Sequence, residues 1–164
     1  MCVFLFLGVP ATSGATPSIG SLTVRPAENT SVLAIFGARW AVYTLTDEGG
    51  CSCALHSDRR PSEIRAAERR RYAAKGWSRG KVDRAVEAKL SQGAVATFEE
   101  VSSWLAGLAQ TLGEIALFAH AFGGATREEV VVSSGRRDWT VDDFVSEEGV
   151  IPLDVLVIVR DTNR

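Results

Sequence analysis

Cys2-Val3-Phe4-Leu5-Phe6-Leu7 is an unbroken apolar run, closed by Gly8 and Pro10. A run without polar alternation predicts a strand buried on both faces. Residues 10–20 hold Pro, Gly, Ser and Thr in quantity and read as a loop. Leu22–Arg25 predicts a short strand stopped at Pro26. Val32–Phe36 and Trp40–Thr46 predict two better strands, because β-branched and aromatic residues fill them. Asp47-Glu48-Gly49-Gly50 reads as a turn that folds Cys51–Leu55 back as the second arm of a hairpin.

The periodicity then lengthens. Pro61 suits a first helical turn, with Ser57 or Asp58 before it and Glu63 within it, so a helix is expected from 61 to 75, ended at Gly76. A second follows Ser78 and runs to Gln92, with Val82, Val86 and Leu90 on one face and Gly93 as its stop. Thr97-x-x-Glu100 has the form of a capping box. Phe98, Val101, Leu105, Leu108 and Leu112 then recur at alternating spacings of three and four, up to Gly113. That stripe is too short for a coiled coil and suits packing on a sheet. Ile115–Phe122 returns to strand character. Gly123-Gly124 turns it toward Glu129–Ser133, its expected antiparallel partner. Residues 134–152 read as irregular, with one helical turn after Thr140, and Leu153–Val159 is a final β-branched strand. Strands, then helices, then strands predict one α+β domain over 1–164. Its sheet is mainly antiparallel or mixed, of about six or seven strands, with about three helices packed on it.

Composition adds little to this until it is read locally. The 164 residues are 46% hydrophobic and 23% charged, with a net charge of −2. Such a chain buries a core without metal or disulfide staples. No stretch approaches the roughly 20 apolar residues of a membrane span. The global charge argues for neither nucleic acid nor membrane. Between Asp58 and Arg84, however, ten Lys and Arg face four acids, and the remainder of the chain carries eight against sixteen. On a helix over 61–75, Arg65 and Arg69 share a face with Tyr72, beside Arg70. This basic face is either solvated or a docking surface. The partner it suits is an acidic protein surface, or the chain's own acidic C-terminal half.

The candidate chemistry lies in the cysteines. There are three, Cys2, Cys51 and Cys53, and an odd clustered set does not resemble a secreted disulfide framework. The first apolar run lacks a preceding Lys or Arg and is short for a signal sequence, so a reducing cytoplasm is the expected location. In a regular strand Cys51 and Cys53 point to one face about 6.7 Å apart, too far for a disulfide. A metal tolerates more separation. With Cys2 beside the hairpin arm, and His56 turned inward by a break in the strand, a Cys₃His set results. It suits Zn²⁺, and a thiolate-rich subset suits Cu(I). Three alternatives stay open. Nearby arginines could activate a redox thiol. Cys2, freed of Met1, could act as an N-terminal nucleophile of hydrolase type. The cysteines could also pack simply as small hydrophobes. His120 lies on a strand face among aromatics and reads as structural. Asp142-Asp143 and Glu147-Glu148 read as turn and solubility acids. The chain has no nucleophile elbow, P-loop or dinucleotide fingerprint.

Met1-Cys2-Val3-Phe4-Leu5, Gly50-Cys51-Ser52-Cys53 and Gly113-Glu114-Ile115-Ala116-Leu117-Phe118 together resemble a group of small uncharacterised bacterial proteins. In that group Gly and an aromatic follow the second cysteine of the pair, where this chain has Ala54-Leu55. The resemblance implies no activity, fold or ligand. It favours reading Cys2 together with the Cys-x-Cys pair.

Overall fold

The computed structural model describes residues 2–48, 50–56, 59–91, 94–124 and 126–162, with the backbone alone for 94–96. Met1, Gly49, Ser57, Asp58, Gln92 and Gly93, which the sequence reading invoked for processing, turn, cap or stop, lie outside the described residues.

Among the described residues, six strands form one mixed sheet. They are β1 (Cys2–Pro10), β2 (Thr23–Pro26), β3 (Trp40–Thr46), β4 (Glu114–Phe122), β5 (Gly135–Thr140) and β6 (Val155–Arg160), in the spatial order β2-β3-β1-β4-β6-β5. All neighbours are antiparallel except β5 and β6. The α-helices among the described residues are α1 (Thr30–Phe36), α2 (Pro61–Ala73), α3 (Arg79–Leu90), α4 (Ala94–Leu112) and α5 (Val141–Ser146). The α+β architecture expected from the pattern is the one observed; α1 is the helix the pattern did not suggest, and α5 is the expected helical turn after Thr140.

The sheet is covered on both faces. Leu5, Leu7 and Val9 of β1 join Val101 and Leu105 of α4 and Phe144 of α5 in one core. Phe6, Val42 and Phe118 join Val32 and Phe36 of α1 in the other. The alternation along β1 divides its side chains between these layers. Gly8 is part of that fit: a Cβ there would stand 2.7 Å from the Phe36 ring. Helices α2 and α3 pair on Val82, Val86 and Leu90, with Ile64, Tyr72 and Trp77 against them.

Several expectations are corrected. Val32–Phe36 is helical, not a strand. Asn29 caps it by accepting from Val32 N at 3.0 Å, and Gly37 stops it at φ 79°. Val32 and Phe36, four apart, are buried while Ala34 between them is exposed, a pattern that fits a helix turn and not strand alternation. Residues 51–55 form turns rather than a hairpin arm. Glu129–Ser133 is not a strand, and β4 pairs with β1 and β6 instead. Val131 is buried between exposed Val130 and Val132. Residues 135–140 are not irregular. They form the edge strand β5, whose polar Arg136, Arg137 and Asp138 hide its strand character. Thr97 is not a cap, since α4 already begins at Ala94. The helical turn after Thr140 is present as α5, with a capping box between Thr140 and Asp143.

Candidate metal centre

The β1–β3 ladder begins at the pair Leu5 and Leu45, so the first residues of β1 extend past β3. Ser52 fills the space beside them. It is fully buried. Its N–H donates to Val3 O at 2.8 Å. Its hydroxyl accepts from Leu5 N at 2.8 Å and donates to Leu45 O. One hydroxyl therefore bridges two residues that face each other in the ladder.

The same segment is tied on either side of Ser52. Asp47 N donates to Cys51 O at 2.8 Å, and Gly50 N to Asp47 O at 3.0 Å. Cys51 N meets Asp47 Oδ1 at 3.4 Å. Beyond Ser52, Leu55 N donates to Ser52 O at 2.8 Å, and the Leu55 side chain enters the first core. Cys51 and Cys53 flank the anchored serine, and Cys2 lies next to its partner Val3.

The result is a thiol cluster. The sulfurs of Cys2, Cys51 and Cys53 lie within 4.8 Å of one another. All three are free thiols. Cys2 and Cys53 are exposed and Cys51 is half-buried. Tetrahedral Zn–S bonds of about 2.3 Å place two sulfurs roughly 3.8 Å apart. Closing the present spacing to that value takes at most about one ångström.

His56 is not in this group. Its Nε2 lies 3.1 Å from Ile151 O. The strand does break as the inward turn required, but the ring is directed to the segment before β6.

The electrostatics of the cluster are those of thiols without a cation. The Cys53 backbone N–H, the largest influence on Cys51, lowers its pKa. The Cys53 thiol, burial and the Asp47 carboxylate together outweigh it, and the Cys51 thiol is pushed above its ordinary value. No arginine is among these influences. The cation Arg60 is engaged elsewhere, on Glu147 at 2.5 Å.

The basic helix is largely paired within the chain. Arg65 grips Glu99 of α4 through both guanidinium nitrogens, the second at 2.9 Å, and lies 3.8 Å from Glu87. The Glu99 hydrogen bond, offset in part by burial, raises its pKa. Arg69 meets Asp83 at 3.1 Å. Tyr72 stacks on Trp77 at 5.3 Å. Arg70 is exposed and has no ion pair with another described residue. Pairs to the chain's own acids were foreseen in general. Their particular partners were not, because Glu99 and Glu147 lie 34 and 87 residues from Arg65 and Arg60.

His120 also has a definite role. Its Nδ1 is 2.5 Å from Asp154 Oδ1 and its Nε2 is 3.5 Å from Glu129 Oε1. It joins β4 to the segments on either side of β5. The sequence shows neither acid as a partner.

No protein-family model, curated protein or solved structure matches the chain. Among the described residues, no helix is long and apolar enough to cross a membrane. The functional reading therefore rests on the geometry above.

Proposed function

We propose that the chain binds a thiophilic metal ion, Zn²⁺ or Cu(I), through Cys2, Cys51 and Cys53. The supporting observation is the convergence of the only three cysteines of the chain to within 4.8 Å, from positions 49 residues apart in sequence. Soft thiolates select such ions, and metal binding takes the place of the thiol protons. Three thiolates complete a Cu(I) site. Zn²⁺ needs a fourth ligand, which water supplies unless His56 leaves Ile151 O. Free thiols of this kind persist in a reducing compartment, so a cytoplasmic location belongs to the same reading.

Elemental analysis of anaerobically purified protein tests it. The proposal expects close to one metal ion per chain, and loss of that metal in Cys53→Ser. Metal-free protein, or unchanged content in Cys53→Ser, would defeat it.

A second reading concerns the α2–α3 pair. Arg70 and Arg79, exposed and without described ion-pair partners, border a cleft with Trp77. Together they suit an acidic protein surface, with the internally paired Arg65 and Arg69 fixing the scaffold and Tyr72 supporting Trp77. Reversing Arg70 and Arg79 to Glu should then abolish capture of that partner at low salt. Undiminished capture would refute this reading.

A further inference from the structure

The three thiols of the cluster are not held alike. Cys2 is the first residue of β1 and is exposed. Cys53 is exposed as well, and Cys51 is half-buried. Between Cys51 and Cys53 stands Ser52, with every polar group engaged. Its N–H donates to Val3 O, its C=O accepts from Leu55 N, and its hydroxyl bridges Leu5 N and Leu45 O. The backbone joining the paired cysteines is therefore fixed, whereas Cys2 reaches the cluster from another element.

Clustered thiols have a chemistry besides ligation. Two of them join in a bond of about 2.05 Å when an oxidant takes two electrons. All three sulfurs already lie within 4.8 Å of one another, so side-chain rotation supplies the approach. Exposed side chains rotate with the least hindrance, and they are what an oxidant in solution meets first. Both arguments select Cys2 and Cys53. A bond between Cys51 and Cys53 instead closes a small ring through Ser52, and its geometry has to come from backbone dihedrals that the Ser52 hydrogen bonds hold in place.

We propose that Cys2 and Cys53 form a reversible disulfide, and that this bond and a bound metal ion exclude one another. The exclusion rests on the metal site proposed above, while the disulfide itself does not. The oxidant is a small disulfide of the glutathione class. One cysteine thiolate attacks a sulfur of that disulfide, which forms a mixed disulfide and releases one small thiolate. The other cysteine attacks the protein-side sulfur, the mixed bond breaks, and the second small thiolate leaves. Two cysteine S–H bonds are lost and one S–S bond forms. The two electrons reduce the oxidant's S–S bond, and the two protons end on the small thiols. Cys51 remains a thiol, and a single cysteine is too few to retain an ion held by three. Excess small thiol runs the exchange backwards and restores the ligand set.

Metal-free, reduced protein treated anaerobically with glutathione disulfide tests the bond. The three free thiols should fall to one, and the intact mass should fall by two hydrogens with no glutathione attached. Alkylation and tandem mass spectrometry should place the residual thiol at Cys51. Cys51→Ser should lose both of its thiols as readily as the unaltered chain loses two. Cys2→Ser, at an exposed position, should stop at the glutathione adduct. A residual thiol at Cys2 or Cys53, adducts on the unaltered chain that never resolve, or ready closure in Cys2→Ser would overturn the assignment. Protein loaded with Zn²⁺ should then release one ion per disulfide formed, read with a chromophoric chelator. Metal retained by the oxidised chain would overturn the exclusion. A chain that takes up no metal at all defeats the metal site instead, and the thiol count of the metal-free arm still decides the disulfide.

Discussion

Ser52→Ala removes one oxygen and leaves two backbone groups without their partner. Leu5 N–H loses its acceptor and Leu45 C=O loses a donor. The site is fully buried, so bulk water does not replace the hydroxyl. An orphaned buried polar group costs about 1–3 kcal/mol, which for two groups gives roughly 2–4 kcal/mol once partial relaxation is allowed. With a urea slope of about 2 kcal/mol/M the unfolding midpoint should fall by roughly 1–2 M at constant slope. The Ser52 N–H bond to Val3 O survives the substitution, so the turn loosens rather than detaches. Metal affinity of the folded variant should fall as well, since Cys51 and Cys53 are placed by Ser52. Urea unfolding followed by far-ultraviolet circular dichroism reads the first effect, and competition with a chromophoric chelator reads the second. A stability loss below about 0.5 kcal/mol, the usual size of an ordinary surface change, would refute the bridging role. Full metal affinity in a destabilised variant would refute the positioning role.

Three further outcomes follow from the packing and the charges. Gly149 has φ 74°, and a Cβ there would stand 2.6 Å from Ser102 Cβ, so Gly149→Ala should cost about 2–4 kcal/mol in urea unfolding, whereas an effect under 1 kcal/mol would show that α4 and the turn after α5 do not meet this closely. The bidentate Arg65–Glu99 pair should show a coupling of about 1 kcal/mol in a double-mutant cycle of Arg65→Gln and Glu99→Gln, and zero coupling would mean that α2 is held to α4 by other contacts. The carboxyl of Asp143 lies below its ordinary range because the Thr140 backbone N–H and hydroxyl donate to it. A depressed folded pKa gives stability that is present above the unfolded value of about 4 and lost as the pH falls through the folded one. Asp143→Asn should therefore flatten the acid limb of a stability–pH curve below about pH 4, and an unchanged limb would remove Asp143 from the account.

The sheet was legible wherever burial imposed a strong pattern. β1, β3, β4 and β6 are dense in β-branched, leucine and aromatic residues. The helices α2, α3 and α4 announced themselves by four-residue spacings and by Pro61, Ser78 and Gly76. What failed was local chemistry overridden by distant partners. Val32–Phe36 has strand composition, but Asn29 caps a helix there while its side-chain amide donates to Thr126 O and Glu129 O, about 100 residues away. β5 is an edge strand, and its charged residues carry no hydrophobic alternation. Cys51–Leu55 suggests a hairpin arm because it follows the turn residues Asp47-Glu48-Gly49-Gly50, yet it forms turns. The serine was the informative residue, and its polar side chain signals nothing until β1 and β3 are built around it. The grouping of Cys2 with Cys51 and Cys53 could be stated from sequence only as a condition on strand adjacency. β1 and β3 are adjacent, and Ser52, not a hairpin arm, carries the pair to Cys2.

The most direct test of the metal centre is X-ray absorption at the metal edge of protein loaded anaerobically with one equivalent of Zn²⁺ and, separately, of Cu(I). Three sulfur neighbours at about 2.3 Å should appear in each, falling to two in Cys2→Ser. A shell of nitrogen and oxygen alone, or a sulfur count that Cys2→Ser leaves unchanged, would contradict the three-cysteine site.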